Sequence, residues 1–368
     1  MDYGWLKDER TFRMAVKEPG FAAREVIGAG ENLYDPQFGW LEADGSITFS
    51  DIGGQADYGW DETKGHGAIL SLKPDNSLEF LVPPENMGTF MPLCPIRAPA
   101  NFGPYEGHMM LVGQSLPGRA GALSQHYVYK WAPGDDHMRV FAKYPHAGPH
   151  NDGIPGAALT GGFGPPGSPH DGYFFCSSMM NCTIYRVHWT GTIEPWITFT
   201  DPPIMPLDFQ VAPEWWGELA GEFIMWGKAG QTFTDEVNSE HRWRNYHVRM
   251  DGSWDPVPIP DEKVPAPIEA VKAPPEFGAF GGDLFWVDEG GVDLNHVTRF
   301  DKPLPYSAKL MRTDKAGKHH VFADTIQGSS TLLVFDRTRL LMSFVGKSYS
   351  TGEYHHPDGA IYEIRYTG

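Results

Sequence analysis

Cysteine is scarce, with three residues (Cys94, Cys176 and Cys182) in a chain of 368. The number is odd and no CxxC spacing occurs, so neither a disulfide framework nor a zinc ribbon is expected. These cysteines read as small apolar core residues. Positive charge is also short: Lys and Arg number 29 against 47 Asp and Glu, a formal net charge of −18. A surface this acidic repels phosphate backbones and anionic lipid, which argues against nucleic acid and membrane as partners. No uninterrupted apolar run reaches about 18 residues, the length that marks a spanning helix. The first residues, MDYGWLKDER, lack a basic stretch leading into an apolar one, so a secretory signal is not expected and a cytoplasmic location is. Sustained apolar spacing at i, i+3, i+4 and i+7 is missing as well, which argues against helices.

What is abundant is turn chemistry and aromatic mass. Gly (43) and Pro (32) make up about a fifth of the chain, against about an eighth in average proteins. Disorder does not fit, because 41% of residues are hydrophobic and there are 12 Trp, 15 Tyr and 22 Phe. The composition is that of an ordered, turn-rich, all-β protein.

A repeat runs along the chain. Short β-like runs occur at residues 46–52 (SITFSDI), 108–113 (HMMLVG), 172–177 (GYFFCS), 221–226 (GEFIMW), 283–288 (DLFWVD) and 339–344 (RLLMSF), each after a turn signal. Each is followed by a second run (AILSLK, YVYKW, TIYRVHW, YHVRM, AKLMRT, AIYEIRY) and, in most units, by a third. Intervals of about 50–65 residues with strands this short fit four-stranded blades. The runs are strands B, C and D, and a strand A should precede each B. Six units follow, giving one six-bladed β-propeller domain with blades at about 28–84, 95–143, 149–200, 206–260, 274–324 and 328–368. The last unit lacks a D strand. Residues 11–17 (TFRMAVK) alternate polar and apolar, and are expected to close the ring by pairing with the last blade, which hides two sheet edges.

In a propeller the A strands line the axis, and their starts share one face with the B–C loops. Reading those starts in order gives Asp35 (NLYDPQFGW), Asn101 (APANFG), Asn151 (GPHNDGI) and Asp208 (MPLDFQV). A shift of register would put Glu31 in place of Asp35. Two carboxylates and two amides converging on one axis form an all-oxygen donor set. Hard cations want such a set, with Ca²⁺ first, and Mg²⁺, Mn²⁺ or Zn²⁺ as alternatives. Two ionised carboxylates held close together also repel unless a cation lies between them.

These segments resemble the gluconolactonase and senescence marker protein (regucalcin-like) family. DPQFGWLEADGSITFSDI looks like that family's opening, and PHNDGI, HDGYFFCSS and NCTIYRVHWTGTI look like its third unit. The resemblance covers most of the chain as blade pattern, with sharp motifs in the first and third units. It implies a six-bladed propeller with a single axial divalent cation that hydrolyses lactones and some phosphoesters. It also implies metal ligation at Asp35, Asn151 and Asp208, with Asn101 as the remaining amide of the site.

Histidines are numerous, at 15. His66, His126 and His356 precede C strands, and His146 and His150 flank the start of blade three, so all five belong to the same face. A histidine there can act as general acid or base. Several could instead hold iron. Trp60, and the pair Trp215 and Trp216, can wall an apolar pocket. The expected activity is metal-dependent hydrolysis of a cyclic ester or related small molecule with an apolar or aromatic ring. Asp208 serves as ligand and base, His150 or His66 shares proton transfer, and His126, His146, His356 and Trp60 line the pocket. The alternatives are a metal-dependent isomerase, cyclase or lyase using the loop histidines, and a binding propeller without catalysis.

Overall fold

The computed structural model describes residues 14–27, 33, 36–51, 67–88, 90–114, 126–144, 160–178, 181–230, 243–257, 267–288, 308–326, 332–344 and 359–368. These form six antiparallel sheets arranged as a six-bladed β-propeller. Strands A to D of blade one are Pro36–Leu41, Ile47–Asp51, Ala68–Leu72 and Leu78–Val82. Blade two has Phe90–Arg97, Met109–Gln114, His126–Trp131 and Arg139–Lys143, and blade three Thr160–Phe163, Tyr173–Ser178, Thr183–His188 and Ile193–Thr198. Blade four has Ile204–Val211, Phe223–Ala229, Trp243–Val248 and Trp254–Pro256, and blade five Pro267–Lys272, Leu284–Asp288, Ala308–Thr313 and His319–Ile326. Blade six has Leu332–Phe335, Arg339–Phe344 and Ala360–Tyr366. Helical structure among the described residues is limited to four short 3₁₀ segments, and none of their helices is long and apolar enough to cross a membrane.

The B strands begin within two residues of where the sequence put them. As expected, an N-terminal strand closes the ring by pairing with the last blade, but its residues differ from 11–17. The ring is closed by Phe21–Ile27, which pairs with Ala360–Tyr366 as the outer strand of blade six (Phe21↔Tyr366, Ala23↔Ile364). Of residues 11–17, Ala15 and Val16 instead add a fifth strand to blade five, opposite Asp324 and Ala323. In addition, the A strands of blades two and five begin at Phe90 and Pro267, ahead of the expected starts at 95 and 274.

The core lies between blades, where alternate faces of each sheet meet the next one. One cluster joins blades five and six through Phe277, Phe285, Phe322, Phe335 and Leu340. Another joins blades three and four through Phe175, Ile184, Phe209, Phe223 and Met225. Each such side chain contributes about 1.5–3 kcal/mol on burial.

The A strands pack around the axis, and five of the six are bulged: between Phe38 and Trp40, Leu93 and Ile96, Thr160 and Gly162, Pro206 and Asp208, and Ile268 and Val271. Neighbouring A strands approach so closely that glycine is required at two places. A Cβ on Gly39 would come within 1.8 Å of the Pro95 carbonyl oxygen, and one on Gly161 within 1.9 Å of the Phe209 ring.

The A–B turns carry a second repeat. Ala98-Pro99 to Gly107, Ala212-Pro213 to Gly221 and Ala273-Pro274 to Gly282 share the pattern A-P-x-x-aromatic-G-x-x-x-G. In each, the amide of the aromatic residue donates to the proline carbonyl: Phe102 to Pro99, Trp216 to Pro213 and Phe277 to Pro274, at 3.0 Å in all three. The glycines after the aromatic residues have φ of 57°, 69° and 58°.

Candidate functional site

The face expected to carry the chemistry holds the starts of the A strands and the B–C loops. Asp35, Trp60, His66, His146, His150, Asn151 and His356 lie outside the described residues. His126 is the first residue of the C strand of blade two, opposite Gln114, where a B–C loop position was expected. Asp208 is the fifth residue of its A strand, beyond the strand start where the sequence placed it. It follows the bulge at Leu207 and pairs with Trp226.

Asn101 is not at the start of an A strand. The A strand of blade two ends at Arg97, and Asn101 lies in the turn that follows, at the opposite end of the channel. Its amide nitrogen donates to the Gly164 carbonyl at 3.1 Å and to the Asp171 carboxylate at 2.7 Å, joining the A–B turns of blades two and three. The turn repeat explains the misplacement, because Asn101 is the counterpart of Trp215 and Glu276 rather than of Asp35. Of the four residues proposed to hold a cation, Asn101 alone has a described side chain, and it does not fit that role. Among the described residues no group of three His, Cys, Asp or Glu is placed to hold a metal ion.

The sequence reading missed Glu269, a carboxylate on the channel wall. It lies in the bulge of the blade-five A strand with φ of 27°, and it is buried. Its carboxylate accepts from the Gln210 side-chain amide of blade four at 3.0 Å and from the Leu333 backbone amide of blade six at 2.5 Å. It thus ties three innermost strands together. An innermost strand has a free edge toward the axis, so its N–H groups need acceptors from elsewhere. The signal in the sequence was a lone Glu in PIEAVK, without turn residues around it.

Leu207, on the blade-four A strand, is partly buried. It packs against the clusters of blades three and four, five and six, and six and one. Toward the A–B turns lies a cavity of about 520 Å³ to which all six blades contribute. Trp40, Trp215 and Trp216 are on its wall, together with Glu42, Lys272 and Arg337. Trp215 and Trp216 thus line a cavity of mixed apolar and charged wall, on the face opposite the one proposed for catalysis. The Trp215 indole donates to the Lys272 carbonyl at 2.7 Å, which fixes it against the blade-five A strand.

All three cysteines are buried, and burial pushes the Cys176 thiol up to about 12 even though its hydrogen bond with Tyr144 acts the other way. His170, expected to be a packing or surface residue, is buried, with the Met250 carbonyl at 2.6 Å from Nε2 and the Arg186 guanidinium at 3.1 Å from Nδ1.

No family model matches the chain, and no curated protein matches it. Solved structures do. An α-L-arabinofuranosidase of Fusarium graminearum, in complex with arabinobiose, aligns at a TM-score of 0.55 and 14% identity, over 94% of this chain and 97% of its own. The calcium-binding protein regucalcin of Agrobacterium tumefaciens aligns at 0.50 and 13%, over 94% and 93%. Virginiamycin B lyase of Staphylococcus aureus aligns at 0.48 and 11%, over 94% and 99%. At such identities the first two likenesses are likenesses of fold alone.

Proposed function

We propose that this chain is an enzyme acting on a small molecule at the propeller axis, with hydrolysis of a cyclic ester as its reaction. The substrate is taken to be apolar or aromatic. A divalent cation, calcium first, is assigned to Asp35, Asn151 and Asp208, with Asn101 withdrawn from the set. The reading is carried by Asp208, which stands on an innermost strand directly after a bulge, beside a blade whose own bulge presents Glu269. Carboxyl-bearing residues on adjacent innermost strands are what an axial site built by repetition requires. The calcium-binding regucalcin of similar fold is consistent with it.

When bound, such a cation polarises a carbonyl oxygen and lowers the pKa of a bound water. The chain's own part is to orient and to move protons. Asp208 is assigned as base, and His150 or His66 as the group that returns a proton to the leaving oxygen. Glu269 holds Gln210 and the Leu333 amide in place, and so keeps the strand carrying Asp208 in register with blades five and six.

The test combines metal content with isotope transfer. Purified protein is analysed for bound metals, then incubated with an aryl lactone in ¹⁸O-labelled water. The expected result is about one divalent ion per chain and label in the hydroxy acid, both lost in Asp208→Asn. Turnover without label, or iron at similar occupancy, overturns the reading.

A further inference from the structure

The cavity at the A–B end of the channel is lined, among the described residues, by none of those assigned to the activity proposed above. Its charges do not balance. Glu42 accepts from the Arg97 guanidinium at 3.0 and 3.1 Å. Asp336 is paired with Arg339, and Glu214 with Arg337 at 3.2 Å. Each of these carboxylates on the wall thus has an arginine partner, Arg339 being shared with Glu363. Lys272 is the exception: its ammonium makes one hydrogen bond, to the Trp216 carbonyl at 3.3 Å, and among the described residues no carboxylate pairs with it. It is half-buried at the end of the blade-five A strand, beside Trp215 and Trp216.

We propose that this cavity binds an organic monoanion, a carboxylate carried on an aromatic or other flat apolar body, with Lys272 as the anchor for the carboxylate. An ammonium offers three donors, and one is used. A half-buried cation without a counter-charge is disfavoured, and a charge-assisted bond to a carboxylate relieves this. The tryptophans supply flat apolar surface for the body of the ligand. Trp40, 40% exposed, offers a further indole face on the wall against which a ring can stack. The volume lies within the range of about 300–1,000 Å³ usual for small-molecule sites.

The test is calorimetric titration of the full chain with naphthalene-2-acetate and, separately, with neutral naphthalene-2-acetamide. The carboxylate is expected to bind at least about tenfold more tightly than the amide. Lys272→Met should bring the carboxylate down to the level of the amide and leave the amide unchanged. Trp40→Ala should weaken both. Thermal melting checks that each variant is folded. Should Lys272→Met not fold, the carboxylate-to-amide ratio in the unaltered protein decides. Equal binding of the two probes, undiminished carboxylate binding in folded Lys272→Met, or no heat from either probe at about 10 mM overturns the proposal. None of these readouts involves catalysis, so they do not bear on the hydrolase reading.

Discussion

Glu269 shows how one residue can hold the axis together. Its two oxygens reach strands of blades four and six, and its backbone adopts a left-handed φ that costs about 1–2 kcal/mol in a non-glycine residue. That strain is maintained because the carboxylate satisfies an edge amide which has no strand beyond it. Glu269→Ala would leave the Leu333 N–H and the Gln210 amide without this acceptor. A loss of about 1–3 kcal/mol in urea denaturation is expected. Glu269→Gln keeps a carbonyl for one of the two donors and should lose less. If the alanine variant matched the parent, the carboxylate would not be holding the strands.

Among elements, the B strands were legible in the sequence and the A strands only in part, and the bulges are the reason. A B strand such as RLLMSF or YFFCSS is an uninterrupted run buried on both faces, bounded by turns. An A strand such as FMPLCPIR contains prolines and one or more bulges, so the alternation that marks a strand is lost at the axis. That is how Asn101 came to be read as a strand start and Glu269 was passed over. Asp35, Asn151 and most of the loop histidines lie outside the described residues and stay expectations from the sequence. The A–B turns are a sharper signal than the strands they join, because their glycines are demanded by backbone angle. Gly217 has φ of 69° and ψ of −120° with open space where a Cβ would go, so Gly217→Ala should cost about 1–3 kcal/mol from conformation alone. Gly278 has φ of 58°, and there a Cβ would also come within 2.6 Å of the Tyr366 ring. Displacing that ring adds about 1–3 kcal/mol. Urea midpoints for the two alanine variants should therefore differ, with Gly278→Ala the lower. Equal midpoints would mean that Tyr366 moves aside freely.

At the scale of the whole molecule, the propeller is held shut where residues some 340 positions apart in sequence meet. Phe21 of the closing strand packs against Phe277, Phe280, Phe322 and Tyr366, with ring centroids 5.1–5.2 Å apart. Beneath it the Glu363 carboxylate accepts from Arg24 of the closing strand at 2.5 Å, from Arg339 at 2.9 Å and from Arg365 at 2.9 Å. Arg339 and Glu363 are both 1% exposed, and Arg339 also reaches Asn76 of blade one at 2.7 Å, so the node spans the seam between the last blade and the first. Burial by itself would raise the Glu363 carboxyl, but the three arginines outweigh it and hold the group below its usual value. A carboxylate with a depressed folded-state pKa stabilises the fold above its unfolded pKa, and that contribution is lost as pH falls through the folded value. Glu363→Gln should therefore cost about 3 kcal/mol near neutral pH, because Arg339 remains buried with fewer acceptors. Other carboxylates here also have lowered pKa values, Asp314 to about 2 through its bond to His320, so acid weakens parent and variant alike. The gap between them isolates Glu363. Melting temperatures measured from about pH 7 down to about pH 2 should show that gap narrowing as Glu363 takes up its proton in the parent. A gap that stayed constant with pH would assign the loss to packing at the seam rather than to the charge.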